Sequence, residues 1–308
     1  MDAVSTQATL DDIAIWHRDG AVLLDQFFSF EEIAAVRADC DTLFAGRGQA
    51  GDAIDRKTDG AIGAFHEAQF RNQEQLPFAA SPAINLIGLH PRLIAFAKAT
   101  LGVDRVYLYQ CDVWAKYTGE ADYDQPFHCD FANHTLTVPS ENPAERTVNC
   151  MIYVTVVTND LGAIHYVANP DADEIVGRAR LALPEGMQQA LKARERSGAA
   201  PAGSVFAYDI DTYHRGTNLT RPGGHRYTIT ASFKAAGNAM IDRAAWPLHF
   251  MRPWKNLMHH ASADQLACIG VPLPGDPFWT EVTIARTQAR WPGWDVTPYR
   301  QALGTAPA

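Results

Sequence analysis

Apolar and polar positions along the chain fall into two textures that change near residue 105. Before that point the spacing is helical. Thr9-Leu10-Asp11-Asp12 and Ser29-Phe30-Glu31-Glu32 each set a hydroxyl three positions ahead of a carboxylate, which satisfies the free donors at a helix start. The second run continues with Ile33, Val36, Cys40 and Leu43, an apolar stripe at helical spacing. Ala21-Val22-Leu23-Leu24, after the turn at Asp19-Gly20, predicts a short buried strand. Residues 82–101 predict helix broken at Pro91.

After residue 105 the chain becomes short runs rich in Val, Ile, Tyr, Phe and Thr, divided by turns. The predicted strands are 105–117, 133–138, 147–157, 163–168, 204–209 and 226–234. Residues 184–198 predict a helical excursion between strands, and the region beyond 236 is irregular and aromatic. It holds a helix from Ser262 to near Gly270 and another around 277–290. The expected fold class is mainly β with flanking helices, in one domain over 1–308. Residues 1–104 form a helical support, 105–235 a β core and 236–308 a C-terminal extension, with no internal repeat.

Two strands alternate informatively. In 107–116, Gln110, Asp112, Trp114 and Lys116 share one face, and Tyr107, Tyr109, Cys111 and Val113 the other. In 226–233, Arg226, Thr228, Thr230 and Ser232 oppose Tyr227, Ile229, Ala231 and Phe233. A polar face fits either solvent on an antiparallel sheet or the interior of a barrel-like sandwich that holds a polar ligand. Periodicity does not choose between them.

Composition narrows the function. At 47% hydrophobic and 20% charged residues the chain is an ordinary globular protein. Twenty-six basic against thirty-five acidic residues give a net charge of −9, which disfavours nucleic acid and anionic membrane as partners. The cysteines at 40, 111, 129, 150 and 268 are scattered without a CxxC pair, so neither a disulfide framework nor a cysteine zinc site is expected. With no basic-then-apolar leader in Met1–Gln7 and no long apolar run, a cytoplasmic, non-membrane protein is expected. The sequence is compatible with a homo-oligomer.

The candidate chemistry begins at Pro126-Phe127-His128-Cys129-Asp130-Phe131. In extended backbone, residues i and i+2 project together, so His128 and Asp130 can grip one metal ion. Downstream, His214 opens the loop His214-Arg215-Gly216-Thr217-Asn218, and a sheet that folds back would bring it beside the pair. Two histidines and a carboxylate on one side of a metal leave positions open, the arrangement of non-haem Fe(II) oxygenases. Arg226 could clamp the distal carboxylate of 2-oxoglutarate, helped by Thr228 or Tyr153; its bland alternative is a surface ion pair.

Five motifs in order resemble the phytanoyl-CoA dioxygenase family. They are Gln110 with Trp114-Ala115-Lys116; Phe127-His128-Cys129-Asp130; Asn159-Asp160-Leu161-Gly162-Ala163-Ile164; Ala202-Gly203-Ser204; and His214-Arg215-Gly216-Thr217-Asn218 with Arg226. The opening Trp16-His17-Arg18-Asp19-Gly20-Ala21-Val22-Leu23 is similar too, so the resemblance spans about residues 10–235. It implies a double-stranded β-helix core, that is, a cupin-like jelly roll. It also implies Fe(II), 2-oxoglutarate and O₂ as reactants, succinate and CO₂ as products, and a small organic metabolite as substrate. His128, Asp130 and His214 would hold iron and Arg226 would hold 2-oxoglutarate, with Gln110 and Lys116 as further cofactor candidates. Because Asp130 occupies the place that related halogenases leave to chloride, halogenation is disfavoured. Cys129 departs from the family's usual Gln, and Val167-Ala168-Asn169-Pro170 replaces its Pro-Gly-Ser-His turn.

Phe131, Phe127 and His134 are candidate substrate contacts, each with a structural alternative as core or supporting residue. Two other functions remain in competition. One is a cupin-like metal enzyme without 2-oxoglutarate, which leaves Arg226 unexplained. The other is a non-catalytic jelly roll that binds a small molecule, which leaves the intact His-Asp-His set unexplained.

Overall fold

The computed structural model describes residues 8–48, 72–119, 124–134, 139–140, 142–177, 183–241 and 253–305. Helix α1 (Leu10–Asp19) and helix α2 (Phe30–Leu43) both begin with the expected capping boxes, from Thr9 to Asp12 and from Ser29 to Glu32. Between them runs β1 (Ala21–Leu24). The predicted 82–101 helix is two, α3 (Pro82–Ile87) and α4 (Pro91–Leu101), each with proline in its first turn, where its missing N–H costs nothing.

Two antiparallel sheets make the β core. The larger contains β1, β2 (Gln73–Gln75), β3 (Val106–Tyr117), β4 (Thr147–Tyr153), β7 (Val205–Tyr208) and β9 (His225–Ala235), in the order β1-β7-β4-β9-β3-β2. The smaller has the order β6-β5-β8, from β5 (His165–Tyr166), β6 (Arg196–Ser197) and β8 (His214–Arg215). The sheets pack face to face as a jelly roll. Tyr166 of the small sheet packs on Phe206 of the large one at 5.0 Å between ring centroids, and His214 packs on Tyr208 at 4.9 Å.

Alternation decides what each face does. The outward residues of the large sheet include Val148, Cys150, Ile152, Val205, Ala207, Ile229, Ala231 and Phe233. They share one apolar core with Trp16, Ile33, Val36, Leu93 and Phe96 of the helices. The opposite face of β9 carries Arg226, Thr228, Thr230 and Ser232, all buried, as is Lys234 beyond them. The polar stripe is therefore interior. The solvent alternative fails because the second sheet covers it.

Several boundaries differ from the predictions. The strand predicted at 133–138 begins as a helical turn, α5 (Phe131–His134), while 135–138 lie outside the described residues. The 184–198 excursion is helical only over α7 (Glu185–Lys192), after α6 (Asn169–Ile175), and its end returns as β6. Strand β3 contains a bulge. Leu108 pairs with Phe233 and Gln110 with Ser232, leaving Tyr109 unpaired between them. The strict alternation that grouped Tyr107 and Tyr109 with Cys111 breaks there, because an inserted residue shifts the phase. The expected C-terminal helices appear as α9 (Ala263–Cys268) and α10 (Glu281–Arg290). Three helices were not predicted: α6, the short α8 (Lys255–Met258) and α11 (Thr297–Thr305). All five cysteines are buried thiols outside any disulfide. Among the described residues no helix is long and apolar enough to cross a membrane.

Candidate active site

The His-x-Asp segment and β8 are brought together by backbone. His128 and His214 form an isolated antiparallel bridge, with reciprocal N–H to C=O bonds of 3.0 Å. The loop before His214 is tied down in turn, as the Gly20 carbonyl accepts from the Asp209 amide at 2.8 Å and the Thr212 hydroxyl at 2.7 Å. Gly20 ends α1 at φ 76° with its backbone against the Asn169 side chain, where a Cβ would clash. The "DG" turn legible in the sequence is thus a clamp on the loop that leads to His214. Arg146 adds an ion pair to Asp209 at 2.6 Å and another to Asp211 at 3.0 Å.

One ligand atom from each of His128, Asp130 and His214 lies within 4.8 Å of the others, a set that can hold a metal ion. Asp130 Oδ1 is 3.8 Å from His128 Nε2 and 3.5 Å from His214 Nε2. The remaining atoms orient these three. His128 Nδ1 lies 2.9 Å from the Pro126 carbonyl and His214 Nδ1 lies 2.9 Å from that of Thr212. A carbonyl only accepts, so both Nδ1 atoms carry hydrogen and both Nε2 lone pairs are free. Tyr208 donates to Asp130 Oδ2 at 2.9 Å, which leaves Oδ1 for the ion. Burial pushes the Asp130 carboxyl up, but the neighbouring His214, His128 and His134 rings and the Tyr208 bond outweigh it and hold it below its ordinary range. Burial lowers His214, with Asp130 opposing. Burial and then Asp130 keep the Tyr208 hydroxyl protonated far above its ordinary range.

At one end of β9 stands a second feature. Arg226 and Lys116 are cross-strand partners in the β3·β9 ladder, both pointing inward. Arg226 bonds the Gly162 carbonyl, and its Nε has no partner. Among the described residues no carboxylate pairs with Arg226 or Lys116. Burial, with Arg226 adjacent, lowers Lys116 to about 7. Burial lowers Arg226 to about 10, with Tyr153 opposing, so it stays charged at neutral pH. Arg226 is a buried cation beside the half-buried Lys116, and with no anion among the described residues to pair with it this arrangement is costly unless a ligand supplies one. The surface ion-pair alternative for Arg226 is overturned by this burial. The register is firm as well: His225 stacks against Tyr117 on the other face.

The other predicted residues divide. Thr228 and Tyr153 face each other across β4 and β9 on the buried stripe, and the Tyr153 hydroxyl donates to the Gly198 carbonyl at 2.7 Å. Gln110 pairs with Ser232, six positions along β9 from Arg226, roughly 20 Å at strand spacing. Its amide donates to Asp112 at 2.8 Å, so it does not join the cationic pair. Phe127 and Phe131 are buried in a satellite cluster with Val167, Leu191 and Tyr213. Packing of this kind fixes the segment that carries His128 and Asp130. His134 lies 2.8 Å from the Tyr109 hydroxyl. Tyr208 and Arg146 were missed. For Tyr208 a signal existed, since Phe206 and Tyr208 alternate with Val205 and Ala207.

The family model for phytanoyl-CoA dioxygenase (PhyH) matches residues 16–223. The chain belongs to this family. Arg226 falls just past the matched segment, so its assignment rests on the geometry above. Comparison with curated proteins by sequence gives no match. Among solved structures, EctD from S. alaskensis with bound Fe is similar at 18% identity, TM-score 0.56, over 80% of this chain and 85% of that one. The non-heme alpha ketoglutarate dependent carbocyclase SnoK from nogalamycin biosynthesis is similar at 16% identity and TM-score 0.54, over 81% and 93%. The epimerase SnoN, in complex with Fe3+, alpha ketoglutarate and nogalamycin RO, is similar at 17% identity and TM-score 0.52, over 73% and 83%. At such identities the likeness shows the jelly-roll fold that the family resemblance implied.

Proposed function

We propose that this PhyH-family chain is an Fe(II)/2-oxoglutarate-dependent oxygenase that oxidises an unactivated C–H of a small organic metabolite, most simply by hydroxylation. The observation that carries this function is the pairing of a His-Asp-His set with an inward-facing Lys116/Arg226 pair that no carboxylate among the described residues neutralises, inside the same sandwich. The donor set fits iron: two imidazole Nε2 atoms and one carboxylate oxygen converge, each oriented by a second bond. The cationic pair fits the distal carboxylate of 2-oxoglutarate, which would give the unpartnered Arg226 Nε an acceptor. A cupin-like enzyme without 2-oxoglutarate has no use for that pair, and a metal-free binding protein has none for the triad. EctD with 2-oxoglutarate and 5-hydroxyectoine, at 18% identity and TM-score 0.55 over 82% of this chain and 85% of that one, is consistent with both groups in this fold. We further propose that residues 1–308 work as one domain, supported by a single apolar core that includes Trp16 and Tyr299.

Bound together, iron and 2-oxoglutarate supply O₂ activation, with succinate and CO₂ released. The protein's part is positioning. His128, His214 and Asp130 fix the ion; Tyr208 keeps Asp130 from turning; Arg226 and Lys116 orient the co-substrate, with Thr228 and Tyr153 beside them. Arg226 and Thr228 lie on the buried inner face of β9, away from bulk water. Tyr208→Phe is expected to weaken iron binding by about 10–100-fold, the usual cost of losing a partner that orients a metal ligand, with activity largely restored at saturating iron.

Lys116 gives a pH signature. The anionic co-substrate prefers the ammonium form, which the empty protein loses as pH rises through about 7. Affinity for 2-oxoglutarate should therefore be highest below pH 7 and fall above it, with proton uptake on binding near neutrality. Lys116→Met should weaken binding and flatten this dependence; calorimetry in two buffers of different ionisation enthalpy measures both. The function itself is tested by anaerobic titration with Fe(II) and 2-oxoglutarate. A visible charge-transfer band that saturates at one equivalent is expected, and its absence with both groups in excess would contradict the proposal.

A further inference from the structure

The interior face of the large sheet carries polar atoms that neither the ion ligands nor the cationic pair use. They centre on Tyr109, the residue of the β3 bulge. Leu108 and Cys111 belong to the outer core under the helices, whereas Tyr109 joins the satellite cluster of Phe127 and Phe131 on the inner side. Bulges re-aim side chains in this way beside active sites. The Tyr109 hydroxyl donates to Asn149 Oδ1 at 2.9 Å and lies 2.8 Å from His134 Nδ1.

A hydroxyl has one proton. With Asn149 Oδ1 assigned as the acceptor of that proton, Tyr109 accepts from His134 Nδ1–H, with the Thr147 and Ser232 hydroxyls also beside it, and this tautomer leaves His134 Nε2 as a bare lone pair. Asn149, 1% exposed, has committed Oδ1 to Tyr109, and its Nδ2 has no hydrogen-bond partner. A buried amide donor of this kind calls for an acceptor. Both groups flank the candidate iron site. Asn149 is the cross-strand neighbour of Tyr208, which holds Asp130, and His134 ends the helical turn that follows Asp130.

We infer that Asn149 and His134, positioned by Tyr109, recognise a hydroxyl group of an uncharged small-molecule substrate: its oxygen accepts from Asn149 Nδ2 and its proton goes to His134 Nε2. This rests on the oxygenase function proposed above and adds the class of substrate. A carboxylate would oppose the His134 lone pair and lacks a proton to offer it. An ammonium group would oppose the Asn149 donor. A hydroxyl meets both demands with one oxygen.

The test uses the full chain loaded with Zn(II), which does not react with O₂, and 2-oxoglutarate. Saturation-transfer NMR then ranks matched probes on cyclohexane and decalin scaffolds: the alcohol, its methyl ether, the carboxylate and the amine. The alcohols are expected to bind at least about tenfold more tightly than their ethers, since a site built to hydrogen-bond a hydroxyl rejects the analogue lacking it. Asn149→Leu and His134→Phe should each bring alcohol and ether to within about twofold. An ether, carboxylate or amine that binds as well as its alcohol overturns the inference. So does the absence of alcohol binding, or an alcohol preference that survives both substitutions. The wild-type ranking stands without any variant having to fold. The charge-transfer band of the same wild-type preparation with Fe(II) reports the oxygenase function separately: a band without alcohol preference overturns only the hydroxyl inference, and no band overturns the function beneath it.

Discussion

Replacing His214 with alanine is expected to abolish stoichiometric iron binding and cut succinate formation by about 1000-fold or more, since an ion held by three side chains loses one of them. The structure isolates this effect from folding. His214 is placed by backbone, through the reciprocal bridge to His128 and the β5·β8 pairing with Tyr166, and alanine keeps both. The lost Nδ1 bond to Thr212 and the small void should cost roughly 1–2 kcal/mol in the metal-free protein. Metal-free melting should therefore shift by only a few degrees, while iron no longer raises the melting temperature. Iron content after desalting and a melting curve with and without Fe(II) check both halves. A variant that retains one tightly held iron would remove His214 from the ligand set.

Arg226→Met carries the second large effect, and its sign depends on the ligand. With 2-oxoglutarate present the substitution removes one half of a buried charge pair, which costs about 2–5 kcal/mol, or roughly 30- to 4000-fold in affinity. Without ligand it removes a buried cation with which no carboxylate among the described residues pairs, so the empty protein should be no less stable, and more stable if methionine packs well. Crossed behaviour of this kind separates a ligand-binding arginine from a structural one. A structural arginine would lose stability in both states. Calorimetric affinity for 2-oxoglutarate beside melting curves of the empty protein measures it.

How much of this was legible in the chain depended on the range of the signal. Local signals read well. The capping boxes at Thr9 and Ser29, the proline-led α3 and α4, and the strand that ends in Ala235 all formed near their predicted positions, because each is settled by neighbours in sequence. The His-Asp-His set was legible because extended geometry places His128 and Asp130 on one side, and the family motifs supplied His214. Long-range facts were not. Whether the polar face of β9 met water or an interior depended on a second sheet built from two-residue strands, too short to leave a periodic trace. The bulge at Tyr109 gave no sign in a run of alternating residues, and it reversed which core that ring joins. Tyr208 showed its alternation but not its partner, since the bond to Asp130 spans distant parts of the chain. For Phe127 and Phe131 nearness to Asp130 was visible in the sequence, but not the satellite cluster in which their rings pack, because distant residues such as Val167 and Tyr213 complete it.

The most direct test is a crystal structure grown without air in Fe(II) and 2-oxoglutarate, with iron located by anomalous scattering. The expected result is one iron within roughly 2 Å of His128 Nε2, Asp130 Oδ1 and His214 Nε2, with the distal carboxylate of 2-oxoglutarate paired to Arg226. Iron bound elsewhere, or a co-substrate turned away from Arg226, would contradict the assignment.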